Sequence, residues 1–135
     1  MVDRDLVMAK LAAMERYLGE LSEYRAIDAE TYASDWKTQR IVERTVHLVV
    51  ETAVDIAGQL VADRLLPVPD TDAAAFVTLA EDGVLENDLA GAPGRIVACR
   101  NILAHARLDP AIVLRILHTD LLDIERFRSA VLRAI

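Results

Sequence analysis

The stretch from Asp35 to Asp63, DWKTQRIVERTVHLVVETAVDIAGQLVAD, decides the fold. Asp35 is a good N-cap, and the first proline after it is Pro67, so one long helix is predicted to run to about Asp63. This helix is apolar almost all round, with Ile41, Val42, Val46, Leu48, Val49, Val50, Ala53, Val54, Ile56, Ala57, Leu60 and Val61. Its exception is a narrow stripe of Arg40, Arg44, His47, Glu51 and Asp55, whose spacings of 4, 3, 4 and 4 put them on one face. A helix of this composition is expected to be enclosed by neighbours on most sides. The stripe is then either a solvent-facing strip of ion pairs or the lining of a polar groove.

N-terminal to this helix, the residues from Asp3 to Tyr24 carry Leu6, Ala9, Ala13, Tyr17, Leu21 and Tyr24 on one stripe, widened by Val7, Leu11, Met14 and Leu18. A turn-like piece is expected over Asp28 to Ala33, and Arg64 to Asp70, with Pro67 and Pro69, is the clearest loop. Thr71 or Asp72 can cap a third helix over Ala73 to Ala80, closed by Asp82-Gly83. Pro93-Gly94 opens another, to about Ala104, and Asp109-Pro110 starts a last helix that ends near Arg133. With only 5 Gly and 4 Pro and no strand-like alternation, the chain reads as all-α. The expectation is a single domain over residues 1–135, an antiparallel bundle of about four to six helices.

Composition narrows the class. The single cysteine, Cys99, cannot form a disulfide framework, and no Cys/His cluster has zinc spacing, so no metal and no cofactor are expected. The N-terminus opens on acids and charges interrupt every apolar run, so a cytoplasmic protein with no membrane span is expected. Apolar residues make up 53% of the chain while aromatics make up only 4%, a surplus of aliphatic surface that points to an oligomer, and a two-fold homodimer fits it. A net charge of −7 repels phosphate at long range and argues against a nonspecific nucleic-acid coat.

One window departs from that acidity. Leu89 to Leu108 holds Arg95, Arg100, His105 and Arg107 and no acid, and Arg100-Asn-Ile-Leu-Ala-His105 sets a fixed cation, an amide and an imidazole within six residues. Those groups suit chemistry at phosphate. An imidazole can act as acid or base near neutral pH, and His105 is the candidate for that role. Arg100 offers a guanidinium fork to non-bridging oxygens, Asn101 donates to phosphate or orients the imidazole, and Arg95 and Arg107 hold flanking phosphates. Residues five apart are rotated by about 140° on a regular helix, so the helix must end or loosen before His105. Glu51 and Asp55 are candidates to pair with Arg100 or Arg44 and hold the guanidinium in place. His47, His118 and Cys99 are read as structural.

The stretch Cys99-Arg-Asn-Ile-Leu-Ala-His-Ala-Arg-Leu-Asp-Pro110 resembles the signature of the HEPN superfamily, and more closely that of the HepT toxins, partners of MNT-type nucleotidyltransferase antitoxins. Thr38 to Arg44, Val50 to Ala57 and Phe76 to Leu85 are similar to the same family, so the resemblance covers nearly the whole chain in order. It implies a metal-independent endoribonuclease, active as a dimer on RNA and held in check by its antitoxin. Arg100 and His105 match the family's catalytic pair, and Asn101 its polar residue. Where that family commonly carries a tyrosine open to adenylylation, this chain has Arg107, and its last tyrosine is Tyr32. Two other readings stay open: a non-catalytic adaptor for RNA or a nucleotidyltransferase, and a plain dimerisation bundle.

Overall fold

The computed structural model of the chain describes residues 3–91 and 109–135, and among them every regular element is helical. In chain order these are α1 (Arg4–Ser22), α2 (Ala29–Ser34), α3 (Trp36–Asp63), α4 (Asp72–Glu81), α5 (Asn87–Ala90), α6 (Pro110–Arg115), a π-helical turn (Ile116–Asp120) and α7 (Leu121–Ala134). The helix expected from Pro93 lies outside the described residues.

α3 is the long helix that Asp35 starts, its carboxylate accepting from the backbone N–H groups of Lys37 and Thr38 and from the Thr38 hydroxyl. α1 packs along it in the antiparallel sense, because the Asp3 backbone N–H donates to Asp63 Oδ2 at 2.8 Å at one end of the pair. The buried side of α1 is Val7, Leu11, Met14, Leu18 and Leu21, while Leu6 is left exposed. Both stripes that the sequence offers on this helix are apolar. The bulkier one faces α3, since Val, Leu and Met bury more area than alanine and need no partner for a hydroxyl as tyrosine does.

The piece expected as a turn over Asp28 to Ala33 is a short helix, α2, with Asp28 accepting from the Thr31 backbone. It carries Tyr32 into the core between α3 and α6. α4 lies against α3, and Phe76 on it meets Phe127 of α7 in a tilted pair with ring centroids 5.4 Å apart. Asp109 caps α6 with Pro110 in the first turn, as expected, but the helix to Ala134 is not uniform. Its π turn widens the backbone over Ile116 to Asp120, turning Asp120 into the interior, where it is 4% exposed. α3 satisfies length and composition for a membrane span, but half of its most apolar window is buried by the other helices. It is the core helix of the bundle.

Candidate functional site

The outer face of α3 carries the part of the expected site that lies among the described residues. Arg40 pairs with Glu43 one turn on, at 2.5 Å, and Arg44 is exposed beside it. His47 and Glu51 are half-buried. Thr45 and Thr52, the hydroxyls nearest the apolar side, bond back to the carbonyls of Ile41 and Leu48 and need no outside partner. Asp55 does not pair with Arg44: the two lie eleven residues apart, about 16 Å along the axis. Its partner is Lys10 of α1, at 3.5 Å. Glu51 is engaged in an interaction of its own. Arg95, Arg100, Asn101, His105 and Arg107 lie outside the described residues.

The described residues nearest that window in sequence, on either side, are anchored by charge. Before it, Arg126 of α7 donates to Glu86 Oε2 at 3.0 Å and Asp88 Oδ2 at 2.7 Å, fixing α5 to α7. The guanidinium hydrogen bond holds the Asp88 carboxyl below its ordinary range and raises Arg126 in return. A surface depression of about 500 Å³ sits there, lined by Leu89, Leu122 and Ala130 with Glu86, Glu125, Arg126, Ser129 and Arg133. Among the described residues that line it there is no imidazole or thiol. After the window come α6 and the π turn, whose Asp120 is the one carboxylate among the described residues that is almost wholly buried. That carboxylate is engaged. Sequence reading missed Asp120, because an acid in an apolar helix looks like any solvent-facing residue until the wider π turn rotates it inward.

A family profile of "Ribonuclease HepT-like" proteins matches residues 14–131. The chain belongs to the HepT-like ribonuclease family. Among curated proteins it is 24% identical over 125 residues to the "mRNA nuclease HepT" of Shewanella oneidensis, covering 91% of this chain and 93% of that one. It is 27% identical over 100 residues to the "tRNA nuclease HepT" of Aphanizomenon flos-aquae, 74% of this chain and 68% of that protein. Its fold matches a solved toxin–antitoxin complex with AMP-PNP at a TM-score of 0.86 and 23% identity, covering 96% of this chain and 98% of that one. A tri-AMPylated Shewanella oneidensis HEPN toxin in complex with its MNT antitoxin gives 0.85 at 23% identity, with the same coverage. The architecture of this HepT-like chain is therefore the all-helical HEPN type, as expected.

Proposed function

We propose that this chain is a metal-independent endoribonuclease toxin that cleaves RNA by attack of the ribose 2′-hydroxyl on the adjacent phosphate. Arg100-x4-His105 carries the reading: a cation and an imidazole five residues apart, in the chain's acid-free window, within a HepT-like ribonuclease. His105 takes the 2′-hydroxyl proton or protonates the leaving 5′-oxygen. Arg100 stabilises the charge that builds on the phosphorane oxygens, and Asn101 donates to phosphate or steadies the imidazole. Arg95 and Arg107 hold flanking phosphates. One histidine cannot be base and acid in the same step, so two protomers bring their motifs to a shared cleft in a homodimer. Glu51 and Arg44 support that cleft from α3.

The chain is expected to act in the cytoplasm and to be neutralised by an MNT-type nucleotidyltransferase antitoxin, the kind of partner with which its structural relatives were solved. The test is RNA cleavage in excess chelator by the wild-type protein and by His105→Ala and Arg100→Ala. Wild type should cut and both variants should be inactive with helicity intact. Cleavage by His105→Ala at the original rate, or a requirement for added metal, would overturn the assignment.

A further inference from the structure

The first two turns of α3 carry a combination that the fold itself does not use. Trp36 is the only tryptophan of the chain and the most exposed aromatic among the described residues, with 65% of its surface open. The Lys37 ammonium lies over its ring, 5.9 Å from the centroid. Trp36, Arg40 and Arg44 follow at steps of four on one face, each about 6 Å further along the axis, and Arg44 is exposed. Two acids lie among them, and both are occupied. Asp35 folds back onto the helix start, and Glu43 pairs with Arg40, which keeps 55% of its side chain exposed. From Asp35 to Arg44 the side chains sum to one positive charge, three cations against Asp35 and Glu43, in a molecule whose net charge is −7.

An exposed tryptophan flanked by cations suits one chemistry in particular. An unpaired base offers a π-face for the indole, and its backbone offers phosphates to the cations, whereas an acidic protein surface would use the cations and leave the ring idle. We infer that Trp36, Lys37, Arg40 and Arg44 form a docking face for single-stranded RNA, with a base stacked on Trp36 and flanking phosphates on the cations. This rests on the ribonuclease reading above and adds a place where substrate is held along α3, leading from Trp36 to Arg44 at the edge of the proposed cleft.

Trp36 reports on its own occupancy, since the chain has no other tryptophan. A short 2′-O-methyl oligonucleotide, which lacks the attacking hydroxyl and so is not cut, is titrated while two signals are read. Anisotropy of a fluorescent label on the RNA reports binding anywhere, and indole fluorescence reports binding at Trp36. RNA should quench the indole along the anisotropy curve and shield it from acrylamide, whereas polyglutamate, an anion without bases, should not quench it. Trp36→Ala should weaken binding about tenfold, with Trp36→Phe restoring most of it. Arg44→Ala should flatten the log–log dependence of affinity on salt by about 0.7. RNA binding without any indole response, or the same response to polyglutamate, overturns the docking face and leaves the ribonuclease reading intact. No RNA binding by either signal overturns both.

Discussion

Leu65 and Gly83 occupy the same position in two helix ends. After α3, the Leu65 N–H donates to Ala62 and the Leu66 N–H to Val61; after α4, the Gly83 N–H donates to Ala80 and the Val84 N–H to Leu79. Both are Schellman turns, and both need a positive φ at the first residue past the cap, +82° at Gly83 and +56° at Leu65. Glycine meets that demand freely, whereas a leucine there carries a steric penalty of about 1–2 kcal/mol. Leu65 is 88% exposed, so its side chain returns little by packing.

Leu65→Gly should therefore stabilise the fold. The relieved penalty exceeds the extra unfolded-state freedom of glycine, about 0.5–1 kcal/mol, leaving a net gain of about 0.5–1 kcal/mol. Urea unfolding should show a higher midpoint with an unchanged slope. A lower midpoint would mean that the exposed leucine makes contacts in solution.

Tyr32 is 1% exposed, and its hydroxyl has no hydrogen-bond partner among the described residues. Burial, helped by the nearby Glu43 carboxylate, pushes its phenol up to about 12 from 10.0. Below pH 10 the phenol is protonated in both folded and unfolded chains, and its contribution to stability is complete. Between pH 10 and about 12 only the unfolded chain ionises there, so stability should fall with rising pH. Tyr32→Phe should remove that loss, and at neutral pH should be neutral or stabilising by up to about 1 kcal/mol, because it deletes an unsatisfied polar group. Unfolding curves at pH 7 and pH 11 check both points.

Asp55 pairs with Lys10 across the α1–α3 contact. Asp55→Asn should leave RNA cleavage unchanged and cost less than about 1 kcal/mol, the range of exposed ion pairs. A drop in cleavage rate without loss of stability would place Asp55 in the site after all.

The window from Leu89 to Leu108 has no serine, threonine or tyrosine, so it offers no hydroxyl to a transferred nucleotide. Incubated with ATP and a nucleotidyltransferase of the MNT type, the wild-type chain should gain no nucleotide there, whereas Arg107→Tyr should. Peptide mass mapping decides it, and an adduct in the wild-type window would show that another group can act as acceptor.

The caps at Asp35 and Asp109 and the stop at Gly83 were legible in the sequence, and the cap at Thr71 as one of two candidates with Asp72, because each depends on a side chain or a φ angle within a few residues of itself. α2 read as a turn because six residues are too few to show a helical period. The acidic members of the α3 stripe were legible as one face of a helix. Their partners were not, since Lys10 is 45 residues away in sequence.

By itself, the sequence determined an all-helical chain built around Asp35 to Asp63, and it set the Arg100-x4-His105 pair in the one window free of acids. Helical period and local charge suffice for that, since both repeat within a few residues. Only the tertiary structure decided which stripe of α1 is buried, that Asp55 pairs with Lys10 across the α1–α3 contact, that a π turn takes Asp120 inward, and that Trp36 stands in solvent among cations. These outcomes depend on which faces meet across the bundle. Several apolar faces compete for the same core, and the volume of the side chains chooses among them.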